Sequence, residues 1–122
     1  MPTRAEQMQQ ILKALVINTP DIEGSATVSM EGLVLASALP SGTDEDRVSA
    51  MAAALLSLGE RTSQELQRGT LEQIYVKGNT GYIILVQAGR EAVLEVIAGP
   101  QAKLGMVLLD MKRAAQEIGR LV

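Results

Sequence analysis

Hydrophobic positions recur along this chain with two periods, one near 3.6 residues and one near two residues. The longer period occurs in three segments and predicts helices over residues 3–18, 44–68 and 101–121. Between them, alternating or continuous apolar runs predict five strands over 22–30, 33–36, 70–77, 82–86 and 92–97. Turn-forming residues separate the strands, so the predicted element order is α-β-β-α-β-β-β-α.

The strand at 82–86 indicates how these elements pack. Its side chains are apolar at consecutive positions, which is typical of a strand that is covered on both faces. Short turns between neighbouring strands predict antiparallel pairing. We therefore predict an α+β fold, a three-layer sandwich in which a five-stranded antiparallel sheet has helices on both faces. No linker, repeat or low-complexity tract interrupts the pattern, so residues 1–122 are expected to form a single domain.

The helix predicted from Asp44 to Arg68 has two apolar faces instead of one. Its first face is expected to pack on the sheet and consists of Val48, Met51, Ala52, Leu55, Gly59, Thr62 and Leu66. The opposite face carries the small residues Ala50, Ala53, Ala54 and Ser57. Small side chains let another helix approach closely, so this face is predicted to pack against a partner. High helix propensity is the alternative reason for the alanines.

Charged and polar residues follow the small face toward the end of this helix: Glu60, Arg61, Gln64 and Arg68. One interpretation is a solvated helix end. The other is the rim of an interface, where arginine is a favoured anchor and charge steers the encounter.

Composition removes several classes of partner. The net charge of -3 and the pI near 4.9 argue against nucleic acid as the main partner, because phosphate neutralisation needs a basic surface. The longest nearly uncharged apolar run, 48–58, is too short to cross a bilayer, and the first ten residues are polar. We expect a soluble, cytoplasmic protein that does not insert into membranes.

Candidate chemistry is sparse. The chain has neither His nor Cys, so imidazole bases and thiol nucleophiles are excluded. The consecutive acids at 44–46 do not converge on one point and are better explained as favourable charges at a helix N-terminus than as a metal site. The pairs Lys103 with Asp110 and Glu91 with Glu95 are expected to be solvated. No catalytic residue, cofactor or metal ligand is predicted, and the chain is not expected to be an enzyme.

Several segments, taken in order, resemble the roadblock family, which is named for a dynein light chain and includes bacterial regulators of Ras-like GTPases. They are MEGLVLAS at 30–37, MAAALLSL at 51–58, GTL at 69–71, GYIILV at 81–86, AVL at 92–94, AKLG at 102–105 and RAA at 113–115. Together they span nearly the whole chain, and the resemblance implies a profilin-like roadblock sandwich.

The resemblance also implies partners. It implies a homodimer, or a heterodimer with a second roadblock chain, in which the third strand of each protomer pairs edge to edge and the central helices pack side by side. The candidate edge is 70–77. The interface residues so implied are Leu71, Gln73 and Tyr75 together with Ala50, Ala53, Ala54 and Ser57. The residues of the central helix that stay exposed in such a dimer are the predicted partner-binding residues: Glu60, Arg61, Gln64 and Arg68.

Three functions remain open from the sequence. The first is a non-catalytic dimer that binds a Ras-like small GTPase through its paired central helices and modulates its nucleotide state or localisation. The second is a structural adaptor, or light-chain-like scaffold subunit, whose partner does not depend on nucleotide. The third is an enzyme or small-ligand sensor that uses the sheet surface.

Overall fold

A computed structural model describes residues 1–122 and contains eight elements in the predicted order. The helices are α1 (Arg4–Asn18), α2 (Glu45–Glu65) and α3 (Leu104–Gly119). The strands are β1 (Ile22–Ser29), β2 (Val34–Ala38), β3 (Gln73–Gly78), β4 (Gly81–Ala88) and β5 (Ala92–Ala98). The predicted fold class is confirmed.

All five strands form one antiparallel sheet in the order β2-β1-β5-β4-β3, so β2 and β3 are its edges. Successive side chains of a strand face opposite sides of the sheet. In the central strand β5, Leu94 and Val96 therefore join the core beneath α1 and α3, while Val93 joins the smaller core beneath α2. Helix α2 thus packs alone on one face of the sheet, and α1 and α3 pack on the other.

Local capping signals explain where α1 and α2 begin. Thr3 and Glu6 form the predicted capping box at the start of α1, with each side chain bonded to the other residue's main-chain N–H at 3.1 Å. Asp44 caps α2 by accepting a hydrogen bond from the Arg47 N–H.

None of the three helices combines the length and hydropathy that crossing a bilayer requires.

The end of α2 differs from the prediction. The helix ends at Glu65 instead of Arg68, and Gln67 then adopts a φ of 59°. The Ser63 hydroxyl donates a hydrogen bond to the Gly69 carbonyl at 2.7 Å and so holds the turn that follows the helix. Arg68 therefore lies outside the helix, and its predicted place on a helical face is wrong.

The face of α2 that packs on the sheet also differs from the predicted one. Ser49, Ala52 and Leu56 are buried, whereas Met51 and Leu66 are 60% and 64% exposed. Ser49 tolerates burial because its hydroxyl donates to the Asp46 carbonyl at 3.1 Å. The predicted stripe follows the larger apolar side chains from Val48 to Leu66, so it is rotated away from this buried serine.

Gly81, at the start of β4, is required by the backbone. Its φ is 153°, and a Cβ added there would lie 2.3 Å from the Ala98 carbonyl oxygen. Gly78, at the other end of the same turn, has its nearest obstacle 3.8 Å away. The two glycines therefore differ sharply in how they should tolerate a side chain.

We predict that Gly81→Ala lowers the free energy of unfolding by about 3 kcal/mol or more, because the methyl group meets a main-chain carbonyl and the residue is strained. Gly78→Ala is the control and should change it by less than about 1 kcal/mol. Urea denaturation of both variants measures the difference. Equal losses for the two variants would contradict the turn geometry.

Candidate functional site

The edge strand β3 offers its outer main-chain groups to solvent. It pairs with β4 from Gln73↔Val86 to Gly78↔Gly81 without a register shift. No side chain forms a hydrogen bond with the main chain of β3. A regular edge of this kind is a template for another strand.

Beside this edge, one side of α2 carries exposed apolar residues. Met51, Leu58 and Leu66 are 60%, 64% and 64% exposed, and Leu55 between them is half-buried. We call these four residues the apolar flank of α2. Leu55, Leu58 and Leu66 line an open groove of about 430 Å³. Leu71 and Ile74 form the wall of this groove that belongs to β3 and the segment before it.

The sheet contributes a third apolar element. Val76, Ile83 and Ile97 are cross-strand neighbours on the face that α2 occupies. Val76 is 41% exposed, and the other two are half-buried, so α2 covers this row only in part. We call the open edge of β3, the apolar flank and this row together the β3 surface. It is an apolar surface that ends in unpaired main-chain groups.

The helix residues predicted to form a dimer interface do not lie on this flank. Ala50, Ala54 and Ser57 are exposed as expected, on the outer side of α2. Ala53 is half-buried and faces the β1–β2 turn, where a Cβ added to Gly32 would lie 3.3 Å from the Ala53 Cβ. The hydrophobic pattern did not predict that Leu58 is part of an exposed apolar surface, and it assigned Met51 and Leu66 to the sheet. The spacing of the four flank residues, which places them on one side of a helix, was visible in the sequence.

The strand residues predicted for the same interface divide between the two sides of the sheet. Leu71 is half-buried and lines the groove beside the apolar flank. Gln73 and Tyr75 point to the other face, since their partners Val86 and Ile84 belong to the core beneath α1 and α3. The Gln73 side-chain amide donates to the Tyr75 hydroxyl at 2.6 Å. Both residues nonetheless lie on the open edge strand.

The predicted partner-binding residues lie near the C-terminal end of α2 but do not form one face. Glu60 is half-buried, and Gln64 is exposed. Arg61 forms an ion pair with Glu65 at 3.5 Å, with the two side chains 73% and 70% exposed. A pair this exposed contributes under about 1 kcal/mol, so Arg61 can leave it to meet a partner. Arg68 lies beyond the helix, where its Nε donates to the Leu66 carbonyl at 3.1 Å.

Glu95 is buried, so the prediction that its side chain is solvated is wrong. It is 4% exposed, its side chain lies on the α2 face of β5, and its neighbours across the sheet are Ala26 and Leu85. Its Oε1 has no hydrogen-bond partner. Burial in these surroundings raises the pKa of Glu95 from 4.5 to about 7.

The other acidic and basic candidates do not form a catalytic arrangement. Glu91 is exposed in the turn before β5, and Lys103 is exposed at the start of α3. Asp110 accepts a hydrogen bond from the Thr19 hydroxyl at 2.7 Å and so joins α3 to the end of α1. No group of three or more acidic side chains is arranged to hold a metal ion.

Comparison with known proteins gives the following matches. A model of the Roadblock/LC7 domain matches residues 8–98. The Methanocaldococcus jannaschii protein MJ1340 is 43% identical over 100 residues, which cover 82% of this chain and 87% of that protein.

Two solved structures share the fold. The gliding protein MglB of Thermus thermophilus has a TM-score of 0.89 at 20% identity, covering 99% of this chain and 92% of that one. Profilin II of Acanthamoeba castellanii has a TM-score of 0.68 at 13% identity, covering 93% and 97%. At these identities the likeness concerns the fold alone, and it confirms the predicted profilin-like sandwich.

We predict that the pH dependence of stability reports the burial of Glu95. Its folded-state pKa is raised, so the wild-type chain loses stability as pH rises from about 4.5 through about 7. Glu95→Gln removes the charge, and its free energy of unfolding should exceed that of wild type by about 3 kcal/mol at pH 8 and by nearly nothing at pH 4. Glu91→Gln, at an exposed position, is the control. A difference for Glu95→Gln that does not change with pH would contradict the assignment.

Proposed function

This chain belongs to the Roadblock/LC7 domain family, and we propose that it is a dimeric, non-catalytic regulator that binds a Ras-like small GTPase. The observation that carries the proposal is the β3 surface, in which an unpaired strand edge and exposed apolar residues of α2 lie side by side. The GTPase is the partner class expected from the resemblance to roadblock regulators.

The β3 surface suits a second copy of the same chain. Two β3 strands related by a two-fold axis run antiparallel, so each can satisfy the open main-chain groups of the other. The sheets of the two protomers then become continuous. Such pairing is isologous and uses the same residues on both sides, which fits a chain with one regular open edge.

In this dimer the apolar flank, and not the small face, meets the partner. Met51, Leu58 and Leu66 lie on the side of α2 that borders β3, where the second α2 must lie once the edges pair. The partner's helix would cover the half-exposed row of Val76, Ile83 and Ile97. This arrangement replaces the expected helix contact through Ala53, because the β1–β2 turn already packs against the Ala53 side chain.

The outer side of α2 then remains free for a third protein. Ala50, Ala54 and Ser57 give it a flat surface of small residues, and Arg61 projects beside them as a charged anchor. Small residues allow close approach, and arginine is enriched among the residues that dominate binding energy. Two such helices side by side make the surface that we assign to the GTPase.

The proposed mechanism is a shift of population. A dimer that contacts one switch conformation better than the other favours the nucleotide state with that conformation, by as much as the difference in affinity. This mechanism needs no catalytic group from the roadblock chain. It fits an outer α2 surface whose charged residue, Arg61, is exposed and paired with Glu65.

For the dimer, we predict that Leu58→Glu produces monomers, because a carboxylate would be buried in an apolar contact. Ile17→Glu is the matched control, since Ile17 is 79% exposed on α1, on the other side of the sheet. Sedimentation equilibrium should give two 13.0 kDa chains for wild type and for Ile17→Glu, and one chain for Leu58→Glu. A dimer that survives Leu58→Glu would show that the flank is not the interface.

For the GTPase, we predict nucleotide-dependent binding that Arg61→Ala weakens at least tenfold, the effect typical of an interface anchor. The probes are Ras-like GTPases from the source organism of this chain, each loaded with GDP or a GTP analogue and titrated by calorimetry. Arg113→Ala, an exposed position on α3, is the control and should bind as wild type does. Binding that ignores the nucleotide would favour the structural adaptor, and no binding to any of them would refute the GTPase proposal.

A further inference from the structure

At the second edge of the sheet, β2, a side chain of α1 occupies the main-chain groups of one residue. The Gln9 side chain reaches from α1 to Ser37, where its Oε1 accepts from the Ser37 N–H at 3.3 Å and its Nε2 donates to the Ser37 carbonyl. One side-chain amide thus bonds to both main-chain groups of one residue, as the main chain of a neighbouring strand does in a sheet. Both groups of Ser37 therefore point away from β1 and are already satisfied.

Two further features act on the same edge. The pairing of β1 with β2 shifts register between Thr27 and Val28, which is an irregularity that twists or bends an edge strand. The Ser37 hydroxyl donates to Glu45 Oε2 at 2.9 Å, which holds a carboxylate of α2 against the strand. Bulges and charges are the means by which proteins make an edge unsuitable for pairing. The edge at β3 has neither a register shift nor a side chain bonded to its main chain.

We propose that Gln9 limits the self-assembly of this protein by closing the β2 edge. The inference rests on the dimer of the proposed function, in which the β3 edges are used and two β2 edges remain at the ends of the joined sheet. If β2 could also pair with a copy of itself, each protomer would have two self-complementary edges on opposite sides. Such a protomer adds further copies without end and forms open chains instead of a closed dimer.

The hydrogen bonds of Gln9 oppose this growth directly. A second copy that pairs through β2 must first break both bonds to Ser37 and then replace them with bonds of the same kind. The exchange yields little net free energy, while the loss of freedom on association remains. At β3 the outer main-chain groups have no side-chain partner to displace, and the apolar flank adds buried area to the pairing. Pairing with a second copy therefore yields more free energy at β3 than at β2.

The test is a sedimentation velocity series over increasing protein concentration. Gln9→Met keeps the unbranched side chain and removes the amide, and Gln9→Ala removes the side chain as well. Gln10→Met is the matched control, because Gln10 is the adjacent residue of α1 and is exposed. Wild type and Gln10→Met should stop at the dimer. Both Gln9 variants should form species larger than the dimer, in a fraction that grows with concentration.

A double variant checks that the new contact uses β2. Gln9→Met combined with Ser37→Pro lacks the N–H that the opened edge would offer, and it should return to the wild-type distribution. Larger species that persist in the double variant would overturn the proposal, as would Gln9 variants that behave like Gln10→Met. If wild type is a monomer, the proposed dimer is wrong, and Gln9→Met should then form a dimer where Gln10→Met does not. A failure of the inference is thereby distinguished from a failure of the proposed function.

Discussion

The open main-chain groups at the two edges of the sheet are the constraint on which the rest of this structure depends. An antiparallel sheet that does not close into a barrel leaves a row of N–H and C=O groups along each outer strand. In this chain Gln9 and Glu45 cover β2 from the two helices that flank it. The other edge, β3, is regular and bare. That asymmetry favours pairing through β3 over pairing through β2 in the dimer that we propose.

In the assembly that we propose, each side of helix α2 has a separate role. Ser49, Ala52 and Leu56 fix it to the sheet, and its apolar flank extends the β3 surface. Its outer side is then free for a protein partner in the assembly that we propose. Beneath it, the buried carboxyl of Glu95 lowers the stability of the fold when it is ionised.

The sequence predicted the element order, the antiparallel sheet and the family, because periodicity, turn residues and the capping box at Thr3 are local signals. It did not predict which side of α2 is buried. A serine that satisfies its hydroxyl within the helix, as Ser49 does, looks polar in a sequence pattern although it lies in the core. Glu95 was placed on the surface for a related reason, since carboxylates are rarely buried unpaired. The bond from Gln9 to Ser37 joins residues that are distant along the chain, and only the fold reveals it.

The most direct measurement of the central claim is amide hydrogen exchange followed strand by strand as protein concentration rises. If copies pair through β3, the amides of β3 should exchange more slowly at high concentration, and those of β2 should exchange at a rate that does not depend on concentration. Exchange in β3 that stays constant across a range in which the protein dimerises would contradict the account. So would protection that appears at β2 instead.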